Sequence, residues 1–569
     1  MNIMWSRNTI RLLRRATLRL SIISGESTDA DTSSIRRKAY CNTPSPNGSY
    51  RSRILPWIAV AGGTFAATLY FRNHLVPKAY AESAESNETA EELKVPERKD
   101  LPTFRLEEVK KHGKDAEQIW VTYQSGVYDI TDFVEAHPGG DKILLSAGGA
   151  VDPYWNVYDV HKTPLVIEMM EDMRVGNLDP RDIVVEEIRA EDDPYRHDPK
   201  RHPALLVNSQ RPFNAETPAE LLLDASYTPN QLFFVRSHMP VPVIDIKTHR
   251  LQVDGLGVKK PIVLSVDDLK RKFQQVSVSA TLQCAGNRRV EMAKFKKVQG
   301  LAWRGQAIGN AKWTGVRLRD ILIAAGVDPN DKRLKHVQCS GADNDGEGHY
   351  FGASITFEKA MHEDTIVAYQ MNGEDIPRDH GYPIRLIAPG IVGARQVKWL
   401  TNIHVSDEES DTQWQRKDYR ALPPTIGHND PHDFELVPSI QEYPVQCAFC
   451  RPAVNTKVHR SDEEIEVAGY AWSGGGRGII QVLVSPDGGN TWQLAELAHP
   501  EGQDLDHMWS WTLFKATVKI PKDAKYMDLV CKATDRSYNT QPETAIGIWN
   551  VRGLIHNAWH HIRVDIIDD

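Results

Sequence analysis

Two histidines separated by 24 residues, His137 and His161, are the first side chains in this sequence whose type and spacing suggest a reaction. An aromatic residue lies shortly before each of them: Phe133 before His137 and Trp155 before His161. Two neutral imidazoles facing each other from helical walls across an apolar slot can occupy both axial positions of a haem iron. An iron held in this way has no open position for substrate and can only exchange electrons. A lone histidine is more often a surface or core residue, so the interpretation depends on the pair.

A second candidate is Cys284, which is followed by Ala285-Gly286-Asn287-Arg288-Arg289. Two adjacent guanidinium groups favour thiolate over thiol, and the thiolate is the form that binds a soft or high-valent metal. An isolated cysteine is more often a small buried hydrophobe, which is what we expect of Cys339 and Cys531.

Short β-rich runs are predicted to position both candidates. Residues 120–123 and 127–130 predict a hairpin that precedes the first histidine, and residues 141–147 predict a helix after it. The run 276–282 predicts a strand that ends just before Cys284, because Gly286 and Asn287 are turn residues. Functional residues are often located where a rigid strand gives way to a loop.

A further short helix is predicted between two strands upstream of Cys284. Residues 261–264 favour a strand, and Ser265 with an acid three residues later is typical of an N-cap. The helix is expected to end at Phe273.

Residues 101–180 resemble the cytochrome b5 family. The resemblance depends on Val127-Tyr128-Asp129-Ile130, on Phe133-x-x-x-His137-Pro-Gly-Gly and on a second histidine at this distance. It implies that His137 and His161 ligate haem b, and that the haem edge lies along Thr163 and Leu165. This segment has 7 basic and 14 acidic residues, a balance that would attract a basic redox partner; an acidic surface that only confers solubility is the alternative.

Four motifs in residues 204–438 together resemble the sulfite oxidase family, in the domain order of its animal mitochondrial members. They are Phe233-Phe234-Val235-Arg236-Ser237-His238, Leu282-Gln283-Cys284-Ala285-Gly286-Asn287-Arg288-Arg289, Arg378-Asp379-His380-Gly381-Tyr382-Pro383 and Gly393-Ala394-Arg395-Gln396-Val397-Lys398-Trp399. The resemblance implies a molybdenum–pterin cofactor with Cys284 as the single protein ligand of the metal. Ser237 stands where we expect Asn in animal members.

The resemblance also implies two further sets of site residues. Residues expected to hold the pterin and its phosphate are Phe234, Val235, Arg236, Ser237, His238, Asp343, His380, Arg385, Gln396, Val397 and Lys398. Arginine and lysine suit a phosphate, whereas histidine and aspartate can pair with a pterin edge. Residues expected to form a cationic pocket for sulfite are Arg236, Arg289, Arg552, Trp303 and Tyr419, with Asp418 pairing with Arg552.

The C-terminal part, residues 439–569, reads as all-β. Strands are predicted at 464–472, 479–484 and 526–533, with a turn at 487–490, a spacing typical of an immunoglobulin-like sandwich. The family uses such a domain to form a homodimer. Cys447 and Cys450 have CxxC spacing without a second pair nearby, so zinc or redox chemistry there is a minor alternative.

Composition limits the classes of protein to which this sequence can belong. The chain has 569 residues, 41% hydrophobic and 25% charged, which excludes a fibrous, wholly disordered or polytopic membrane protein. Six cysteines are too few for a disulfide scaffold. Residues 1–80 carry a net charge of +9 and the remainder −17, so non-specific binding of nucleic acid is not expected.

The first hundred residues are expected to direct the protein to its compartment, where it is released, and to take no part in catalysis. Residues 1–80 have the Arg-rich, acid-poor composition of a mitochondrial presequence, and residues 54–71 form an uncharged apolar sorting segment. Removal of that segment would leave the protein in the intermembrane space, whereas its retention would make it a membrane anchor. Residues 81–100 predict an acidic spacer, and the proline-interrupted residues 181–203 predict a flexible tether.

The sequence therefore predicts a multi-domain α+β protein: a small α+β haem domain, a mixed α+β molybdenum domain and an all-β domain. The resemblance implies oxidation of sulfite to sulfate, with electrons passing singly through the haem to cytochrome c. An assimilatory nitrate reductase is the alternative, but those enzymes place haem after molybdenum and add a flavin-binding reductase. A simple electron carrier is disfavoured, because some 350 residues follow the tether.

Overall fold

The computed structural model describes residues 95–137, 140–157, 161–183, 193–346, 348–428 and 430–568, without the side chains of residues 140, 141, 157 and 165. The predicted presequence with its apolar segment 54–71 lies outside these residues. Within the described part of the chain, no helix is long and apolar enough to cross a membrane.

An N-terminal module extends from Val95 to Ile183. Its sheet has the strand order β1-β4-β3-β2, and Val121, Tyr128 and Ile130 are fully buried in its core. The predicted hairpin is confirmed, and the helix predicted at residues 141–147 is present as a 3-10 helix at Gly140–Ser146. The elements are β1 (Thr103–Phe104), α1 (Leu106–Val109), β2 (Trp120–Tyr123), β3 (Gly126–Asp129), α2 (Asp152–Val157), α3 (Pro164–Glu171) and β4 (Arg174–Leu178), with further 3-10 helices at Thr131–Phe133 and Pro180–Asp182.

The acidic spacer ends earlier than predicted. Val95 is buried; its N–H donates to Gln124 Oε1 (2.8 Å) and its carbonyl accepts from Ser125 Oγ (2.8 Å). The Arg98 N–H donates to Asn177 Oδ1 (2.9 Å). Residues 95–100 therefore belong to the module, and residues 81–94 lie outside the described part.

The tether is also shorter than predicted. Arg201 forms ion pairs with Asp198 (2.7 Å) and Asp379 (2.9 Å), and Asp198 accepts a bond from the Val241 N–H (3.1 Å). Residues 193–203 are thus packed onto the domain that follows, because their charges have partners distant in sequence. Residues 184–192 lie outside the described part.

The middle domain, residues 193–438, contains sheets in the orders β10-β11-β14-β15, with β16 also paired to β14, β13-β12-β17-β8-β9 and β5-β6-β7. Its strands are β5 (Leu206–Gln210), β6 (Phe213–Glu216), β7 (Val235–Arg236), β8 (Leu251–Gly255), β9 (Ile262–Leu264), β10 (Gln275–Gln283), β11 (Ile308–Arg317), β12 (His336–Asn344), β13 (Tyr350–Thr356), β14 (Ile366–Met371), β15 (Glu374–Asp375), β16 (Arg385–Ile387) and β17 (Leu400–Ser406). Its α-helices are α4 (Val266–Lys272), α5 (Arg289–Phe295), α6 (Leu318–Ala324) and α7 (Phe357–Ala360). Shorter helical turns lie at Ala219–Leu222, Arg378–His380, Gly393–Arg395, Trp414–Asp418 and Phe434–Leu436.

The predicted helix start at Ser265 is confirmed. The Asp268 N–H donates to Ser265 Oγ (3.1 Å), and the Ser265 N–H donates to Asp268 Oδ2 (3.1 Å), which is a complete capping box. Leu269 of α4 is fully buried in a core shared with β8, β12 and β17. That core supports the sheet from which several cavity residues project.

The C-terminal domain, residues 439–568, is a sandwich of the sheets β18-β20-β24-β23 and β19-β26-β25-β21-β22 around one apolar core. Its strands are β18 (Gln446–Arg451), β19 (Lys457–His459), β20 (Glu464–Trp472), β21 (Ile479–Ser485), β22 (Gln493–Leu494), β23 (Glu496–Ala498), β24 (Thr512–Lys519), β25 (Tyr526–Asp535) and β26 (His560–Ile567); a 3-10 helix lies at Arg460–Asp462. Cys447 packs into the sandwich core and Cys450 into a separate cluster against the middle domain. The two thiols thus lie on opposite faces of β18 and do not chelate one ion together.

Candidate functional site

A cavity lies in the middle domain where β7, β10 and β12 end. The lining residues are Phe233, Phe234, Arg236, Ser237, His238, Leu282, Cys284, Ala285, Asp343, Phe351, Asp379, His380, Arg385, Gly393, Ala394, Gln396, Lys398 and Tyr419.

Cys284 is held at the cavity wall by its backbone. It follows the last residue of β10, as predicted. Its N–H donates to the Ala307 carbonyl (2.9 Å), and its carbonyl accepts from the Asn287 N–H (2.9 Å) and the Tyr443 hydroxyl (3.0 Å). A rigid backbone at this point fixes the direction of the thiol.

Only one of the two arginines after Cys284 belongs to the site. Arg288 is fully buried but turns away, donating to Glu291 (2.5 Å) and to the carbonyls of Cys447 and Trp559 (both 3.2 Å). The prediction that both guanidinium groups flank the thiol is therefore wrong for Arg288. Arg288 adopts the left-handed conformation (φ 63°), which directs it away from its neighbour.

Arg289 lies behind the cavity wall in a compact cradle. Its Nε donates to the carbonyls of Arg552 (3.0 Å) and Gly553 (3.3 Å), and its Nη1 to that of Leu301 (3.0 Å). A Cβ at Gly286 would lie 2.6 Å from Nη2, and one at Gly300 would lie 2.8 Å from Nη1. Burial lowers the pKa of Arg289 to about 10, while the nearby Cys284 raises it, so the guanidinium stays cationic at neutral pH.

Three basic or histidine side chains, Lys398, Arg385 and His380, line the cavity itself. Lys398 Nζ donates to the carbonyls of Arg236 (3.0 Å) and Asp379 (2.7 Å). Arg385 donates to the His380 carbonyl through Nη1 (2.7 Å). Burial lowers the pKa of His380 to about 4 and also lowers that of Lys398. The wall thus concentrates positive charge that an anionic group would compensate.

Asp343 provides a direct test of whether a polar group belongs in this cavity. Its Oδ1 is buried and has no hydrogen-bond partner among the described residues. Burial raises the pKa of this carboxyl group. An unsatisfied buried acceptor costs about 1–3 kcal/mol, so the wall favours a bound group that donates a hydrogen bond. A pterin carries such N–H donors and, with its phosphate, the negative charge that the basic residues require.

Tyr419 and His238 meet at the cavity. Tyr419 directly follows the π-helical turn Trp414–Asp418, a feature often found at functional sites. Its hydroxyl lies 2.8 Å from His238 Nε2. Burial, together with Arg236 and Lys398, holds the pKa of His238 well below its usual range, and burial raises the pKa of Tyr419. The hydrogen bond therefore joins two neutral groups.

The expected pair of Asp418 and Arg552 is present. Arg552 Nη2 lies 2.9 Å from Asp418 Oδ1, and each side chain is less than 15% exposed. Neither residue lines the cavity itself. The same is true of Arg289, Trp303, Val235 and Val397, whereas the other residues expected to hold pterin or substrate do line it.

Sequence reasoning missed several lining residues. Phe351 stacks on His238 with 4.9 Å between ring centres, and nothing in the local sequence indicates this contact. Asp379 and Gly393 were within the quoted motifs, so their motif membership was a usable signal. A Cβ at Gly393 would lie 2.8 Å from the Gln283 carbonyl oxygen, which makes glycine necessary beside β10.

The two predicted haem ligands face each other in the N-terminal module. The ring centres of His137 and His161 are 6.2 Å apart and their planes differ by 18°. An iron bonded at about 2 Å to each ring would place the ring centres roughly 6 Å apart, so the pair fits a haem iron. His137 follows a turn rather than a helix. Phe133 contacts the first ring (5.8 Å) and Trp155 the second (5.3 Å).

The predicted haem-edge residues lie next to the second ligand. Thr163 is the N-cap residue of α3. Leu165 lies on the same helix, and its side chain is outside the described part of the structure.

The module contacts the middle domain through two ion pairs. Lys142 pairs with Asp345, and Lys297 lies 3.3 Å from Glu168. Asp345 is two residues beyond Asp343 of the cavity wall.

Comparison with known proteins assigns a class to each domain. A cytochrome b5-like heme/steroid binding domain matches residues 105–179, an oxidoreductase molybdopterin binding domain residues 238–414, and a Mo-co oxidoreductase dimerisation domain residues 437–567. The chain is thus a molybdopterin oxidoreductase that also carries a haem-binding domain.

Similarity to individual proteins identifies the family within this class of molybdopterin oxidoreductases. Mitochondrial sulfite oxidase of Rattus norvegicus is 47% identical over 82% of this chain and 84% of its own length, and that of Drosophila melanogaster is 46% identical over 87% of each. The chain belongs to the sulfite oxidase family. Among solved structures, the sulfane dehydrogenase SoxCD from Paracoccus pantotrophus matches with a TM-score of 0.52 and 26% identity, covering 65% of this chain and 87% of that one.

Proposed function

We propose that this chain oxidises sulfite to sulfate at a molybdenum–pterin centre ligated by Cys284. One observation carries the proposal: a single cysteine is fixed at the wall of a cavity that is also lined by the cations Arg236, Arg385 and Lys398 and by Asp343, whose buried Oδ1 has no hydrogen-bond partner among the described residues. The net reaction converts sulfite and water to sulfate, two protons and two electrons. When bound, the molybdenum–pterin supplies two-electron oxygen-atom transfer and the haem supplies one-electron exchange.

Arg236 and Tyr419 are the residues that bind sulfite from the cavity wall. Asn214 Oδ1 (3.1 Å) and the Ser237 carbonyl (2.6 Å) hold Arg236 Nη1, which orients the guanidinium before substrate arrives. The Tyr419 hydroxyl is oriented by His238. A pre-oriented cation and hydroxyl fix the oxyanion and stabilise the charge that is redistributed during oxidation.

Arg289 and Arg552 contribute positive charge from a second layer. The Arg552 carbonyl accepts a bond from Arg289, while its guanidinium pairs with Asp418. Asp418 thereby sets how strongly Arg552 acts on the anion. Trp303 is fully buried and supports the wall behind this layer.

The pterin is held by the other cavity-lining residues that the family resemblance implies for pterin binding. Asp343 accepts from its N–H groups, and the basic side chains of Arg385 and Lys398 compensate its phosphate. His380 is neutral at physiological pH because its pKa is low, so it contributes a hydrogen bond rather than a charge.

The electrons are expected to leave singly through the haem held by His137 and His161 to cytochrome c. The acidic balance of the haem module supports a basic protein partner, because opposite charges steer association over long range. The presequence composition, together with relatives named mitochondrial, supports release into the intermembrane space. The dimerisation-type domain supports a homodimer.

Two assays on the purified protein test the proposal. Sulfite-dependent reduction of cytochrome c should be observed, whereas nitrate reduction supplied by an artificial donor should not. Elemental analysis should find molybdenum and iron. Activity with nitrate alone would favour the nitrate reductase alternative, and a protein without molybdenum would contradict both.

Cys284→Ser should abolish turnover and leave the haem absorption spectrum intact. Cys339→Ala is the control, because that cysteine is also buried but lies in the core and does not line the cavity. Normal sulfite oxidation by Cys284→Ser would show that the metal is not held there.

A further inference from the structure

Outside the cavity, three potential metal ligands converge between two domains. Ligand atoms of His362, Asp364 and His507 all lie within 4.8 Å of one another. His362 and Asp364 follow α7 in the middle domain, whereas His507 lies between β23 and β24 in the C-terminal domain. The His507 Nε2 contacts Asp364 Oδ2 directly, and the two imidazole centres are 5.6 Å apart.

Trp509 holds the carboxylate of this cluster in place. Its indole N–H donates to Asp364 Oδ2 (2.8 Å). The Trp509 ring lies 5.2 Å from His507 and 5.5 Å from His362, measured between ring centres. Hydrogen bonds of this kind orient metal ligands and are typical of the surroundings of a metal.

We propose that His362, Asp364 and His507 bind Zn²⁺, with water as the fourth ligand, and that the ion joins the middle domain to the C-terminal domain. Two imidazoles and a carboxylate are a donor set that zinc prefers. Zinc–ligand bonds of about 2.0–2.1 Å separate tetrahedral ligands by roughly 3.4 Å. Side-chain rotations must therefore bring the more distant ligand atoms together and move the contacting atoms of His507 and Asp364 apart. His507 is 47% exposed and Asp364 23%, which gives the ion and its water access from solvent.

Two features of the cluster oppose binding and limit its affinity. Lys359 Nζ lies 4.2 Å from the centre of the Trp509 ring, and its charge acts on both Asp364 and His362. The His362 Nδ1 accepts a long bond (3.2 Å) from the Asp364 N–H. Coordination through Nε2 would cost that weak bond and release no proton, because the neutral ring only changes tautomer.

The test is zinc binding, by equilibrium dialysis, to protein that keeps its molybdenum and haem and has been freed of zinc, with zinc and molybdenum both measured by elemental analysis. We expect one zinc per chain in the wild type. His507→Ala and His362→Ala should weaken binding by more than about tenfold, a loss already reached when outer ligand contacts are removed. Lys359→Gln should tighten binding, since it removes a cation facing the ligands. His561→Ala is the matched control, because His561 pairs with Asp528 on the surface of the same domain.

The opposite outcomes would overturn the site. These are no binding tighter than about 10 µM, or an affinity that both histidine variants leave unchanged. X-ray absorption at the zinc edge of the wild type gives an answer that does not depend on how the variants fold. Scattering from two imidazoles with first-shell distances of about 2.0–2.1 Å supports the site, and a shell of oxygen alone contradicts it.

Discussion

Substituting Gly286 by alanine should impair sulfite binding through Arg289, a residue that it does not replace. A Cβ at this position would lie 2.6 Å from Nη2 and 2.7 Å from Cζ of the arginine. The guanidinium cannot yield freely, because carbonyls of Arg552 and Leu301 hold it at 3.0 Å each. Gly286 has no positive φ, so alanine adds a steric clash without backbone strain.

The size of the effect follows from what the displaced cation contributes. Because Arg289 acts on the anion through its charge and not through a hydrogen bond, the loss should stay below that of a hydrogen bond to a charged group, which is about 1.5–3 kcal/mol or roughly 10- to 150-fold in kcat/KM. We expect most of the loss in KM, because Arg289 adds charge from behind the wall and acts on the bound anion before the reaction. The cost is smaller if the arginine retains one of its carbonyl contacts.

Steady-state oxidation of sulfite, normalised to molybdenum content, measures this loss. Gly305→Ala is the matched control, since its Cβ would lie 3.8 Å from the nearest atom, Arg288 Cγ, at ordinary contact distance. Wild-type kcat/KM in a fully loaded Gly286→Ala protein would refute the assigned role of Arg289. An equal loss in Gly305→Ala would show that an added methyl group that does not touch Arg289 is enough to cause it, so displacement of the Arg289 guanidinium would not be the cause.

Three other outcomes are expected. His161→Ala should abolish cytochrome c reduction but retain sulfite oxidation with an artificial acceptor that accepts electrons at the molybdenum site; retained cytochrome c reduction would exclude the haem route. The free energy of unfolding should fall as the pH is lowered from 6.5 to 4. Burial lowers the pKa values of His380 and His556 to about 4, so these side chains take up protons in the unfolded state at a higher pH than in the folded state. Each of the two histidines should contribute on the order of 3 kcal/mol to this loss. Denaturant titrations at both pH values measure this loss of stability, and the loss should be smaller in His556→Gln. Lys398→Met should raise the melting temperature of the cofactor-free protein, since burial lowers the pKa of that amine. In protein produced with the cofactor, the same substitution should reduce the molybdenum content; an unchanged melting temperature would contradict the burial argument.

Elements set by local chemistry could be predicted from the sequence. The helix at Val266–Lys272 follows from its capping box, and the strand Gln275–Gln283 from its β-branched residues and the turn after it. The strand Glu464–Trp472 has the predicted bounds. In each case the determining contacts lie within a few residues of one another, which is the range over which sequence patterns are informative.

Segments whose charged residues pair with residues far away in the sequence could not be predicted in this way. Arg201 reads as part of a charged tether, but its partner Asp379 is 178 residues away and lines the cavity. The contact of Phe351 with His238 depends likewise on how two distant strands meet. Composition describes such residues correctly as charged or aromatic, but the fold decides whether they face solvent or a site.

The adjacent residues Arg288 and Arg289 explain why the site also needs the C-terminal domain. The left-handed backbone of Arg288 sends the two side chains in different directions, yet both end on carbonyls of the C-terminal part of the chain. Arg288 reaches those of Cys447 and Trp559, and Arg289 that of Gly553. A fully buried guanidinium that lost such partners would be left with unsatisfied donors at a cost of about 1–3 kcal/mol or more. The domain that matches a dimerisation model therefore also holds the cation behind the cavity, and we expect a change in its packing to alter sulfite binding.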